Sequence, residues 1–162
     1  MDIWTEQLQT RHLPILENWA GRSICRMTAS DFPEEKEKLP QWLADGRENP
    51  FRLDCLVSIY ETPVGISGLR RRDSMLCEAE LYLVLGESGY NSIRTGTYAA
   101  LQMLDRAFRD CGLERVNAEV YICRRDFLEV LVKMGFIPVG QEEKLTQMSV
   151  EKGSFYSRRY LF

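Results

Sequence analysis

Residues 78–111 read EAELYLVLGESGYNSIRTGTYAALQMLDRAFRDC. From Glu78 to Leu85 the pattern has a period of two, which predicts a strand. Glu78, Glu80, Tyr82 and Val84 share one face; Ala79, Leu81, Leu83 and Leu85 share the other. Gly86 to Ile93 is a polar loop. From Arg94 or Thr95 the period becomes helical, and Ala100, Leu104, Ala107, Phe108 and Cys111 form one apolar stripe that Gly112 ends. A helix start exposes unpaired backbone N–H groups and carries about half a positive charge, so it can hold an anion without any special side chain. Ser92, Arg94, Thr95, Gly96 and Thr97 stand at that start. Gly96 allows a close backbone approach, and Arg94 adds a charge-assisted donor.

The strand carries a second signal. A carboxylate inside a central strand is costly to bury unless it is paired or functional. Burial would raise a glutamate toward neutrality and suit it to act as a general base. Two readings of Glu80 stand side by side: a buried base, or an exposed acid paired with the arginines at 70–72. Glu78 reads as the exposed strand start.

Upstream, Leu53 to Ile59 and Val64 to Arg70 predict two more strands. Short polar turns join them to Glu78–Leu85, giving an antiparallel meander with Arg70 to Asp73 as a solvated turn. Met1 to Gln9 predicts a short strand. Thr10 caps a helix reaching about Ala20, and a helical stretch between Asp31 and Asp45 is broken or kinked at Pro40. Downstream, Arg115 to Ile122 predicts a strand and Asp126 to Met134 a helix stopped by Gly135. Phe136 to Val139 and Phe155 to Phe162 predict two closing strands around a polar loop. The strand–helix–strand crossover in the middle is expected to be parallel. The expectation is one domain over residues 1–162, of α/β (α+β) class. Its mixed, mostly antiparallel central sheet has about seven strands, with helices on both faces.

Composition excludes several classes. The 162 residues are 44% hydrophobic and 28% charged with a net charge of −3, so bulk charge draws neither nucleic acid nor membrane. There is no spanning apolar run and no secretory leader pattern, which makes a cytoplasmic location the expectation. The five cysteines include no C-x-x-C pair, which argues against a disulfide framework and a structural zinc site. His12 is the only histidine. It excludes a two-histidine metal site and reads as an exposed polar residue in a surface helix. No metal is expected.

From Ala79 to Phe136 the chain resembles the GNAT acetyltransferases, especially the branch that acetylates ribosomal-protein N-termini. The resemblance rests on AELYLVLGESGYNSIRTGTYAALQMLDRAF, then RVNAEVYI, then a helix ending in KMGF, with PVGISGL upstream. It implies a GNAT-like acyl-CoA N-acyltransferase fold and acetyl-CoA as acyl donor. It further implies direct attack of a primary amine, either a protein N-terminus or a small molecule. Carried over by position, Glu80 is the base. The backbone of Leu83, Val84 and Leu85 pairs with the pantetheine arm, with an N–H near Val84 steadying the oxyanion. Asn91, Ser92, Ile93, Arg94, Thr95, Gly96 and Thr97 wrap the diphosphate, and the strand Arg115 to Ile122 splays away to admit the thioester.

The chain departs from the family at three positions. Arg94 replaces a glycine, and Arg124 stands where asparagine is common and joins the coenzyme-binding set. Leu131 stands where a tyrosine commonly protonates the leaving thiolate; Tyr121, Tyr82 and Tyr156 are the substitutes in reach of the argument. These departures motivate an alternative, a catalytically degenerate acyl-CoA-binding or sensing module of the same fold, and beyond it a structural domain that has lost the coenzyme. A monomer or homodimer is expected.

Overall fold

The computed structural model describes residues 2–20, 22, 24–86 and 92–162. Its centre is a twisted sheet built from β1 (Ile3–Gln7), β2 (Cys25–Arg26), β3 (Leu53–Ile59), β4 (Thr62–Asp73), β5 (Glu78–Leu85), β6 (Arg115–Tyr121), β7 (Ile137–Glu142) and β8 (Leu145–Glu151). The strands lie in the order β1-β3-β4-β5-β6-β8-β7, and β2 pairs with β5 off that path. All pairings are antiparallel except β5–β6. This is the α/β class expected, including the parallel crossover between β5 and β6.

Strand alternation sorts two cores onto the two faces. Cys55, Val57, Leu69, Leu81, Leu83 and Val116 point into the larger one. It is covered by α3 (Ser92–Asp105) and α4 (Arg125–Lys133), through Ala100, Leu104, Phe127 and Leu131. Leu56, Ile66, Tyr82 and Val84 point the other way, under α1 (Leu13–Trp19) and α2 (Leu39–Glu48), which contribute Leu16, Trp19, Trp42 and Leu43. At roughly 25 cal/mol per Å² of apolar area removed from water, this two-sided burial is the main force holding the layers together. Past Asp105 the helix widens into a π turn, Arg106–Asp110, and stops at Gly112, whose φ of +67° suits glycine.

Four expectations need correction. Arg70–Asp73 is the end of β4 and not a solvated turn; the turn lies beyond it, because Arg70 is held in register opposite Glu80. The closing strand is Leu145–Glu151, within the stretch expected to be a loop. It is needed to pair the free edge of β6, from Arg115↔Glu151 to Tyr121↔Leu145. Residues 155–162 are instead α5 (Lys152–Arg158) and a short 3-10 turn, pinned by the fully buried Phe155 against Phe108 at 5.6 Å between ring centroids. Third, α1 is preceded by a 3-10 turn, Thr10–His12, and Thr10 caps nothing; its hydroxyl accepts from Arg47 Nη1 at 2.9 Å. Fourth, His12 is buried: its Nδ1 accepts the Gln9 N–H at 2.9 Å and its Nε2 lies 3.2 Å from Glu6 Oε1. A single histidine beside an acid on a strand edge carries no periodicity signal, so its burial was invisible in the sequence.

Candidate functional site

The parallel pair β5–β6 is brief. Glu78↔Arg115, Ala79↔Val116 and Glu80↔Asn117 are in register, and beyond them the two strands part. The divergence leaves a notch whose floor is the Glu80–Asn117 step. Paired residues of a parallel ladder point to the same side, so Asn117, Glu119 and Tyr121 share the face of Glu80. The other face of the notch is the larger core, under α3 and α4.

Glu80 is 7% exposed and is not alone. Its Oε1 accepts from Arg70 Nη2 at 2.9 Å, and Arg71 Nη1 lies 3.3 Å from Oε2. Alternation would send consecutive arginines to opposite faces. Here the register slips between Arg70 and Asp73, and Arg71 takes φ +52°, so both guanidiniums reach one carboxylate. Left-handed backbone at a non-glycine residue costs about 1–3 kcal/mol and is held by its surroundings. Arg71 also lies 3.8 Å from Glu119 Oε1, bridging the two strands across the notch. Both earlier readings of Glu80 are thus half right: it is buried, and it is paired with Arg70 and Arg71.

Behind Arg70 the charges continue. Arg70 Nη1 lies 3.7 Å from Asp31, which binds Arg52 Nη1 at 2.7 Å, and Arg52 Nη2 reaches Asp54 at 3.0 Å. Burial pushes the Asp31 carboxyl up. Hydrogen bonds from Arg52 and Trp42, with the nearby guanidiniums, outweigh it and hold Asp31 below the usual carboxylate range. Tyr82 donates its hydroxyl to Asp54 inside the smaller core; burial first, then that carboxylate, raise it well above an ordinary phenol. Tyr156 donates to Asp105 on α3 at 3.2 Å. Both phenols are therefore committed elsewhere. Tyr82 and Tyr121 both lie on the face of Glu80, and of the two Tyr121, half-buried at the end of β6, is the one not bound to Asp54. Leu131 is fully buried in the larger core and offers no proton.

At the mouth of the notch α3 begins. Arg94 is exposed, and the Thr97 hydroxyl donates to the Ile93 carbonyl at 2.6 Å. Thr95 is fully buried, and its hydroxyl has no hydrogen-bond partner among the described residues. An orphaned buried hydroxyl in the first turn of a helix costs free energy unless something else meets it. Gly96 is also buried: a Cβ there would stand 3.1 Å from Met27 Cε and 3.3 Å from Leu83 Cδ2, so this glycine makes room for packing and not for open solvent. Arg124 stands just before α4, 3.4 Å from Asp126. Asn91 lies outside the described residues, and Ser92 is described only as the first residue of α3.

The backbone edge of β5 that faces the notch is Leu83's. Its N–H donates to Thr28 Oγ1 at 3.0 Å and its carbonyl accepts from the Met27 N–H at 3.1 Å. In an antiparallel ladder neighbouring residues face opposite edges, so Val84, in register with Ile66, turns its N–H toward β4. The notch-facing N–H is therefore that of Leu83 and not of Val84. The sequence reading offered the arginines at 70–72 as partners of Glu80, and the residues it missed are Glu119, Asp31 and Thr28. Glu119 had a legible signal, an acid within the strand RVNAEVYI, the same signal that singled out Glu80. The others come together only through register.

Among the described residues no group of three or more His, Cys, Asp or Glu is placed to hold a metal ion, and no helix is long and apolar enough to cross a membrane. Burial pushes the Cys25 thiol up against the pull of Arg124, which disfavours a thiolate there.

No protein-family model matches the chain, and no curated protein matches it. Solved structures do. A variant of the spermidine N-acetyltransferase SpeG from Vibrio cholerae superposes with a TM-score of 0.81 at 12% identity, over 97% of this chain and 98% of that one. A chimera of the Vibrio cholerae enzyme with hSSAT gives 0.79 at 13% identity, over 98% and 100%. The spermidine/spermine N-acetyltransferase SpeG of that organism in complex with manganese ions gives 0.74 at 15%, over 96% of each. Identity this low speaks for architecture and not for the ribosomal-protein branch or any one substrate. The chain shares the fold of these N-acetyltransferases, which is the fold that the GNAT resemblance implied.

Proposed function

We propose that this protein is an acetyl-CoA-dependent N-acetyltransferase acting on a primary amine. The observation that carries the reading is the divergence of β5 and β6, floored by Glu80, beside the first turn of α3, where the Thr95 hydroxyl has no hydrogen-bond partner among the described residues. Bound acetyl-CoA would supply the thioester carbonyl that a neutral amine attacks. The backbone of residues 92–97, and Asn91 before them, would hold the diphosphate, and the Thr95 hydroxyl is a donor waiting for an acceptor. Arg94 and Arg124 add positive charge at that end. The Leu83 N–H is the notch-facing donor for a developing oxyanion. Glu80, directly or through water, takes the proton from the amine, and Arg70 and Arg71 hold its two oxygens in a fixed direction. Tyr121 is the candidate to return a proton to the leaving thiolate.

The acceptor is best read as a cationic amine before deprotonation. A groove of about 660 Å³ whose lining includes five acids, Asp31, Glu34, Glu35, Glu37 and Asp45, against one lysine, Lys38, lies beside the notch network through Asp31. The solved relatives are named for spermidine, a polyamine of this class. A single cytoplasmic domain, as monomer or homodimer, remains part of the proposal.

The second reading is a module that binds the coenzyme without turnover. The pairing of Glu80 with two guanidiniums and the apolar Leu131 favour it. Thiol release from acetyl-CoA, measured with a panel of amines that includes spermidine, separates the two. Turnover that falls about 10²–10⁴-fold in Glu80→Gln is the expected result. Coenzyme binding by calorimetry with no thiol release for any acceptor would leave the module, and no binding at all would remove both.

A further inference from the structure

Between α1 and α2 the chain enters the notch itself. Cys25 and Arg26 pair antiparallel with Leu85 and Val84. The Met27 N–H donates to the Leu83 carbonyl, and the Thr28 hydroxyl accepts the Leu83 N–H while donating to the Ala29 carbonyl. On the far side Thr28 bridges Val120 and the Ala29 N–H donates to the Glu119 carbonyl at 2.8 Å. Two parallel strands that part can accept one antiparallel strand between them, and residues 25–29 are that strand. The fully buried Met27 pushes its methyl group under Gly96, against Leu83, at the start of α3.

We infer that residues 25–29 are an internal stand-in for the coenzyme's arm, a plug that must leave the β5 edge before acetyl-CoA can bind. The inference rests on the coenzyme-binding part of the proposed function and adds its regulation. The physical ground is competition for the same atoms. A chain of amide groups laid along β5 would need the Leu83 N–H and carbonyl, and both are taken. The plug is short, and only two of its five side chains, Met27 and Thr28, are fully buried. Cys25, Arg26 and Ala29 are only half-buried, and the second donor to Leu83, the Thr28 N–H, is long at 3.4 Å. A state with few buried apolar groups opens locally at low cost. If the open state is populated at about 1%, the apparent affinity for the coenzyme is about 100-fold weaker than the open site's own. Loosening the plug should therefore tighten coenzyme binding, the reverse of what a mutation lining an ordinary binding site does.

The test uses the full chain with acetyl-CoA and with CoA alone. Thr28→Ala removes the acceptor of the Leu83 N–H, and Met27→Ala removes the apolar anchor. Calorimetry should find binding about tenfold tighter in Thr28→Ala than in the unaltered protein, the ratio expected for one lost buried hydrogen bond. Amide exchange should quicken at Met27 and Ala29 when the coenzyme is added, while the rest of the sheet is further protected. Coenzyme binding that leaves exchange at Met27 and Ala29 unchanged, with equal or weaker affinity in Thr28→Ala, overturns the plug and leaves the proposed function standing. Absence of any heat or thermal shift in the unaltered protein and both variants removes the coenzyme reading and the plug together. Should Met27→Ala fail to fold, Thr28→Ala, which loses only a hydroxyl and a methyl group, carries the test.

Discussion

Arg70 and Arg71 are neighbours in sequence and hold the same carboxylate, yet they differ in consequence. The side chain of Arg70 is 9% exposed, as is that of Glu80, whereas Arg71 is 70% exposed. Removing one member of a buried pair strands the other charge, so Arg70→Ala should lower stability by about 3–5 kcal/mol in urea denaturation. Arg71→Gly loses an exposed pair worth about 0–1 kcal/mol and relieves a positive φ, so its stability should stay within about 1 kcal/mol of the parent. Turnover should nevertheless fall in Arg71→Gly, because one of the two groups aiming Glu80 is gone. A comparable stability loss in both variants would contradict the assignment. Tyr82 gives a pH prediction at the same scale. Its folded value is raised by burial and by Asp54 above the ordinary 10.0. The unfolded phenol ionises first, so the unfolded state binds fewer protons above pH 10. Stability is thus complete below about pH 10 and declines as pH rises toward the folded value. Melting temperatures between pH 8 and 11 should show the decline in the parent and a shallower one in Tyr82→Phe.

At the scale of elements, α4 is held by a narrow anchor. Phe127 and Leu131, a turn apart, are both fully buried in the larger core, while the opposite side of the helix faces solvent. Phe127→Ala should cost about 3–5 kcal/mol. Phe127 also lies 3.7 Å from the Cβ position of Gly96, so the same change should disturb the first turn of α3 and weaken coenzyme binding. Calorimetry on the folded variant at low temperature would read that second effect. The elements best seen in the sequence were those with a clean period: Glu78–Leu85 coincides with β5, and the stripe Ala100, Leu104, Ala107 and Phe108 is the buried side of α3 and its π turn. The weakest were edge elements. The strand Leu145–Glu151 looks polar because Thr146, Gln147 and Leu145 are only half-covered, and α5 depends on one fully buried ring, that of Phe155.

For the whole molecule, the decisive feature is that β5 lies between two cores and is paired along both edges. It meets β4 along most of its length, β6 at its start and β2 at its end. Amides of β5 that face β4, such as those of Tyr82 and Val84, should exchange only by global unfolding, and those of β1 and β7, at the edges of the sheet, by local fraying at lower cost. Native-state hydrogen exchange would rank them. Equal protection of β5 and β7 would contradict the layered picture.

Local periodicity determined the meander, the central helix, the second strand–helix pair and Glu80 as the acid to watch, because each depends on residues two to four apart along one chain. Tertiary structure alone decided the rest. The slip that turns Arg71 beside Arg70, the turning of Leu83's N–H and not Val84's toward the notch, and residues 25–29 lying in the notch all depend on how separate strands pair. Such contacts arise from the register and edge demand of a closed hydrogen-bond ladder, and neither leaves a local mark in the order of amino acids.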